Sequence, residues 1–316
     1  MAEGPAHAAA QRPWLLWPAL FIGVVSFAFS AILVRWAGEA PAMTIAVWRT
    51  GLAALFLAPV ALPLAWEEMW EITRREWLLI GGAGVMLGLH FVAFIEALFY
   101  TTVASATVLV TTSPIILAVL GFVLLGERLS RRRWLAIAVG VIGAALIGYG
   151  DAGGLSGAIN PLVGNLLALA AALLVSFYLL IGRVVRKERS WLAYVFPLYV
   201  VVAVTTLFTA SVSGKPITGF STEFYLLCTL MAIGPSILGH GSFNYALRYL
   251  PAAVVGLLAL VEPVGASLLA VVFFGEVPVG MAIAGMLLVL ASVAVALWPV
   301  RATARLQNTT RNQESG

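Results

Sequence analysis

Apolar residues in this chain fall into ten long runs, at approximately 15–36, 42–64, 77–98, 103–125, 133–150, 162–183, 191–212, 223–246, 252–274 and 279–299. Charges or Pro and Gly close each run. A helix rises 1.5 Å per residue, so ~20 apolar residues cross the roughly 30 Å of bilayer hydrocarbon. The alternation of a membrane strand is absent, and lipid tolerates only backbones whose polar groups are satisfied internally. The runs therefore predict an all-α membrane protein of ten transmembrane helices. Composition agrees: 62% of residues are hydrophobic and 10% charged, against about 45–50% and about 25% in soluble domains. In water such a chain would expose large apolar patches. The first run, after Arg12, resembles a signal peptide ending at Ala28-Phe29-Ser30-Ala31, but it continues to about Trp36 and reads as a retained span.

The net charge of +4 does not point to nucleic acid, because the cations cluster between apolar runs. That placement gives orientation. With the N-terminus cytoplasmic, the inside segments hold 15 of the 18 Lys and Arg residues, including Arg74, Arg75, Arg128, Arg131–Arg133, Arg183, Arg186, Lys187, Arg189 and Arg248. The outside segments hold Arg35 and Lys215. The asymmetry satisfies the positive-inside rule, so both termini are expected in the cytoplasm and the chain in the inner (plasma) membrane. Partners are then the lipid bilayer and a small-molecule substrate, with a homodimer left open. One cysteine, Cys228, and three histidines give neither a disulfide framework nor a dedicated metal site. There is no Gly-rich Lys loop, HExxH or paired-acid arrangement, so no enzyme, catalytic residue or cofactor is expected.

The chain also repeats itself at an offset of 149. Pro114 matches Pro263, Gly126-Glu127 matches Gly275-Glu276, Tyr100 matches Tyr249, and Ala97-Leu98 matches Ala246-Leu247. Five spans per half is an odd number, so the second copy starts on the opposite side. The loops fit: Gly126-Glu127 leads into Arg-Leu-Ser-Arg-Arg-Arg, whereas Gly275-Glu276 leads into Val-Pro-Val-Gly. Two inverted five-helix repeats are typical of secondary transporters.

These residues, with Pro41 through Arg49, Ala104-Ser105-Ala106, Ser113-Pro114, Gly164-Asn165-Leu166, Glu262-Pro263 and Phe274-Gly275-Glu276, make the chain resemble the EamA family of the drug/metabolite transporter superfamily. The resemblance implies a first repeat over 15–150 and a second over 162–299, joined by a periplasmic linker at 151–161. Tails at 1–14 and 300–316 are cytoplasmic. It also implies a central cavity walled by spans one to four and six to nine, and alternating access. One departure is that the second Gly-Glu lacks the basic tail of the first.

Ionisable groups at bilayer depth are costly and normally face a cavity or a partner. Here they are Arg49, His90, Glu96, His240 and Glu262. Glu262, beside Pro263, can carry a proton or meet a cationic group; the plainer alternative is a packed carboxyl. Arg49 can bind a carboxylate or neutralise Glu262 or Glu96. Ser236, His240, Asn244 and Arg248 recur every four residues, so in an α-helix they share one face and are expected to line an inner vestibule. His90 and Glu96 stand about 120° apart on their helix. Glu96 lies near the outer end and can be merely snorkelling, while His90 lies deeper. Thr107 and Thr111 are expected to relieve the Val110 carbonyl that Pro114 frees. Pro114 and Pro263 are matched helix breaks and candidate gating points.

The function expected is a secondary transporter that exports small metabolites, amino acids or related amphipathic compounds, with proton coupling through Glu262. The alternative is a non-transporting membrane scaffold or sensor.

Overall fold

The ends of the helices carry specific chemistry, and that chemistry sets the architecture. A computed structural model describes residues 13–38, 40–101, 106, 109–151, 160–275 and 277–298, and every regular element among them is a helix. A short 3-10 turn, Pro13–Leu15, leads into α1 (Leu16–Trp36), followed by α2 (Ala42–Trp70) and α3 (Arg74–Tyr100). Next come α4 (Ser113–Leu125), α5 (Arg131–Asp151), α6 (Pro161–Val185) and α7 (Trp191–Ser213). Then α8 (Thr222–Met231) runs through a π-helical segment (Ala232–His240) into α9 (Gly241–Ala246). The last elements are α10 (Ala252–Ala259), α11 (Val261–Phe274) and α12 (Gly280–Leu297).

Side-chain oxygens satisfy the exposed N–H groups where α3, α6, α7 and α8 begin. Thr73 and Glu76 form a reciprocal capping box at α3. Asn160, Ser190 and Ser221 accept from Val163, Ala193 and Phe224 at α6, α7 and α8. At their other ends α4 and α11 stop at Gly126 and Gly275, with φ of 66° and 67°, a left-handed backbone that glycine adopts without a Cβ penalty. The two glycines occupy matched places at the offset of 149.

Eight helical stretches are long and apolar enough to cross a membrane: Pro13–Val34, Ala42–Trp70, Arg74–Ala97, Pro161–Val185, Trp191–Ser213, Thr222–Ala246, Ala252–Phe273 and Gly280–Leu297. Large apolar side chains such as Phe21, Leu64 and Val272 stand on the outside, which suits lipid rather than water. The chain is a multi-pass helical membrane protein. The count differs from the ten runs of the sequence at two places. The fourth run is not described as one continuous helix: Ala106, Leu109 and Val110 are helical, the chain turns at Thr111–Thr112, and α4 begins just before Pro114. The fifth is the 21-residue helix α5, which starts on three consecutive arginines and is not among the eight. Residues 1–12, 152–159 and 299–316, which hold the expected tails and most of the linker, lie outside the described residues, as do Glu39, Ala104, Ser105, Thr107 and Glu276.

Packing pairs the two halves element by element. The helices α2 and α7 pack together, as do α5 and α12, and α4 and α10. The pairing of α3 with α6 has its counterpart in α1 against the π segment and α9. Small residues allow the closest approach: a Cβ on Gly143 of α5 would stand 2.7 Å from the Gly285 carbonyl of α12. Connections also sort to two ends. At one end, Glu71, Glu127, Arg183, Arg189 and Leu247 meet. At the other, Thr44 and Trp48 donate to the carbonyls of Pro216 and Ile217, and Asn160 donates to Tyr100. Trp48 thus ties α2 to the segment before α8.

Candidate functional site

Both matched prolines stand just beyond a break in a span. Pro114 is the second residue of α4, after the turn at Thr111–Thr112, and Pro263 is the third residue of α11, after the turn at Leu260. A proline lacks the N–H that would continue the helix. The Thr112 hydroxyl donates to the Leu109 carbonyl at 2.6 Å within that turn; Thr107, expected to relieve the Val110 carbonyl, lies outside the described residues. The break in the ninth span leaves Glu262 in the first turn of α11.

Arg49 enters the interior from the second turn of α2. Its Nε donates to Ser236 Oγ at 3.2 Å, and its guanidinium carbon stands 4.6 Å from the centre of the Phe91 ring. Arg49 is buried, yet its Nη1 and Nη2 make no hydrogen bond to any described residue. Glu262 is half-buried and makes no hydrogen bond or ion pair within 4.0 Å among the described residues. Arg49 and Glu262 make no ion pair with each other, and among the described residues both keep unfilled hydrogen-bonding capacity.

The π-helical segment explains how Ser236 reaches Arg49. A wider i→i+5 turn replaces the regular ladder around Pro235, and such bulges re-aim side chains. This corrects the expectation that Ser236, His240, Asn244 and Arg248 sit on a single α-helical face of an open vestibule. Ser236, His240 and Asn244 are 0%, 9% and 0% exposed, each against different partners. Ser236 takes Arg49 and, through its carbonyl, the Tyr199 hydroxyl at 2.7 Å. His240 is ringed by Phe27, Phe91 and Tyr178 at 4.8, 5.3 and 6.1 Å between centroids. Asn244 lies deeper toward the basic end, beside Tyr178 and Tyr194.

His90 faces α6 rather than Arg49: Nδ1 is 2.9 Å from the Ala171 carbonyl, and the ring stacks on Phe94. Glu96 is half-buried on α3 and makes no ion pair with Arg49. The structure therefore joins Arg49 to Ser236 directly and to His240 and His90 through the Phe91 ring, while Glu262 and Glu96 make no contact with Arg49 among the described ion pairs and hydrogen bonds. Phe27, Phe91, Tyr178 and Tyr199 complete the surroundings. Their hydropathy drew no attention, although aromatic residues two or three turns from intramembrane charges were a readable signal.

At the basic end three arginines close the bundle. Arg183 pairs with Glu127 at 2.9 Å and donates to the carbonyls of Leu247 and Arg248 at 2.7 and 3.1 Å. Arg186 donates to the carbonyl of Asn244 at 3.0 Å and to that of Arg189. Burial, with Arg248 adding to it, pulls Arg186 down to about 10, so it stays charged at neutral pH. Arg189 holds Glu76 with two nitrogens at 2.6 and 2.8 Å, and its pKa rises above the usual arginine value because of that contact.

Broken spans around an interior arginine and carboxylate, with lipid-facing apolar surfaces outside, define a membrane protein of the solute-handling kind. The model of the EamA-like transporter family matches residues 14–149 and again 162–298. The chain belongs to that family. It is 30% identical over 243 residues to the uncharacterized transporter PA0485 of Pseudomonas aeruginosa, covering 75% of this chain and 77% of the relative. It is 28% identical over 217 residues to protein RarD of Salmonella typhi, covering 67% and 70%. A crystal structure shares the fold with a TM-score of 0.75 over 91% of this chain and 97% of the other, at 19% identity.

Proposed function

We propose that the chain is a secondary transporter that exports small amphipathic metabolites of the amino-acid type across the plasma membrane by alternating access. Ten spans form two five-helix units of inverted topology, and the basic end faces the cytoplasm. The pairing of each packing contact with a counterpart in the other half supports the inverted arrangement, as does the sorting of alternate connections to opposite ends. Concentration of cations at one of those ends supports the orientation.

The observation that carries the reading is the pair of unmatched charges. Among the described residues, Arg49 Nη1 and Nη2 and the Glu262 carboxyl have no hydrogen-bond or ion-pair partner. A buried charge without a partner is strongly destabilising. A zwitterionic solute supplies both missing partners at once: its carboxylate to the planar fork of Arg49, its ammonium to Glu262. The Phe91 face and the rings around His240 give an apolar side chain its contact. Without solute, a proton on Glu262 removes its charge, which links solute exchange to protons.

The test is efflux from proteoliposomes preloaded with a labelled amino-acid mixture, with and without a pH gradient. Gradient-dependent efflux that disappears in Arg49→Gln supports the reading. Efflux equal to that of protein-free vesicles would leave a scaffold or sensor.

A further inference from the structure

Four of the five buried side-chain polar atoms that lack a hydrogen-bond partner among the described residues belong to one cluster. They are Tyr178 Oη, Tyr194 Oη, Asn244 Nδ2 and Asn244 Oδ1; the Tyr178 hydroxyl faces the Asn244 amide but stands too far off for a full hydrogen bond. All three residues are 0% exposed, and they come from α6, α7 and α9. Gly182, one turn beyond Tyr178 on α6, bounds the cluster: a Cβ there would stand 3.0 Å from Tyr194 Oη and 3.6 Å from Asn244 Oδ1. Leu247 Cδ1 would be 2.8 Å from the same point.

Packing gives no reason for this choice of residues. Phe and Leu would fill the same volume without burying polar atoms, and an unsatisfied buried donor or acceptor costs stability. The position of the cluster supplies the reason. It lies next to His240, through the Tyr178 ring, on the side of Arg49 toward the basic end. Directly over it sit Arg183, which bonds the Leu247 and Arg248 carbonyls, and Arg186, which bonds the Asn244 carbonyl. A group of polar atoms that is unpaired when sealed becomes paired when the seal opens to water.

We propose that Tyr178, Tyr194 and Asn244 form an inner polar site that takes up water, and with it the hydrogen-bonding end of the solute, when the clasp of Arg183 and Arg186 opens. The site rests on the transporter reading above and extends it: Arg49 and Glu262 hold the solute at mid-depth, and the inner site receives it on the cytoplasmic side. Two phenol hydroxyls and one amide offer both donors and acceptors, so the ligand chemistry is neutral hydrogen bonding rather than ion pairing. The polar atoms also favour opening, because closure leaves Tyr194 Oη without a partner among the described residues and gives Tyr178 and Asn244 only a long contact with each other.

The experiment uses the full chain with Cys228→Ser and Leu247→Cys in inside-out vesicles, and a membrane-impermeant maleimide. Labelling is slow while the clasp is intact. Arg183→Gln speeds it about tenfold or more, since a charge-assisted contact is lost, and Glu127→Gln does the same from the other partner if the first variant does not fold. Adding Tyr194→Phe and Asn244→Leu to the opened clasp returns labelling toward the slow rate, because apolar faces close again. Labelling that ignores the clasp, or that stays fast without the polar groups, overturns the site. Arg49→Gln separates the two readings: it abolishes efflux and leaves labelling at position 247 unchanged, whereas undiminished efflux in that variant sinks the transport reading alone.

Discussion

The molecule treats arginine in two opposite ways. At the basic end, Arg183 and Arg189 each hold a carboxylate, and Arg186 is bonded to two carbonyls. At the centre, Arg49 has one hydroxyl and one aromatic face, and among the described residues its other two nitrogens and the Glu262 carboxyl have no partner. The residue type is the same and the surroundings are comparably buried for Arg49 and Arg186, at 5% and 1% exposure. What differs is completeness. A fully matched arginine fixes loops to one another; an incompletely matched one leaves room for a partner that comes and goes.

The largest effect expected from this contrast is at Arg49. Arg49→Gln removes a bidentate carboxylate contact of about 3 kcal/mol, which lowers solute flux about a hundredfold. Its thermal unfolding midpoint stays level or rises, since the variant no longer buries an incompletely paired charge. Flux in detergent-purified, reconstituted protein and a melting curve decide the matter. A drop in stability as large as the drop in flux would make Arg49 a structural residue like Arg183, and the contrast would fail.

Glu262 comes next. Glu262→Gln keeps the shape and the first turn of α11 but cannot change charge. Flux driven by a pH gradient is expected to fall about tenfold, the scale of one charge-assisted contact, while exchange of labelled for unlabelled solute at equal pH keeps most of its rate. Equal loss in both assays would assign Glu262 to solute binding without protons. Unchanged gradient-driven flux would remove it from the mechanism.

The sequence exposed this contrast only halfway. Intramembrane charges are conspicuous against 62% hydrophobic composition, so Arg49 and Glu262 stood out, and Pro114 and Pro263 marked the broken spans through chemistry that acts locally. Local chemistry does not report partners. Whether Arg49 is matched depends on α8 and α9 lying across it, and the π-helical turn that aims Ser236 at Arg49 arises from packing around Pro235 rather than from residue preference. Tyr178 and Tyr194 were invisible for a related reason. Hydropathy counts tyrosine among the apolar residues, and its hydroxyl becomes informative only once burial is known. The ion pairs Arg183–Glu127 and Arg189–Glu76 join residues 56 and 113 positions apart, beyond any periodic pattern.

The smallest effect is expected at Arg189 and Glu76, and it bears on the matched side of the comparison. Their side chains are 15% and 13% exposed at the end of the bundle, so water screens only part of the attraction, and the coupling measured by a double-mutant cycle is about 1 kcal/mol. Arg189→Gln and Glu76→Gln singly, then together, give that number from thermal or denaturant unfolding. The pH dependence has a definite sign. The pKa of Arg189 is raised by Glu76, so the contribution of the arginine is complete throughout the range below its unfolded value and disappears only in strong alkali. Between neutral pH and mild alkali the pair is therefore constant, and it loosens from the acid side alone, as Glu76 takes up its proton. Flux per folded molecule stays within about fivefold of the parent chain in all three variants, because a change of ~1 kcal/mol in a loop contact shifts a gating equilibrium by about that factor. A coupling of several kcal/mol, or a flux loss comparable to that of Arg49→Gln, would show that the basic end takes part in solute handling as directly as the centre does.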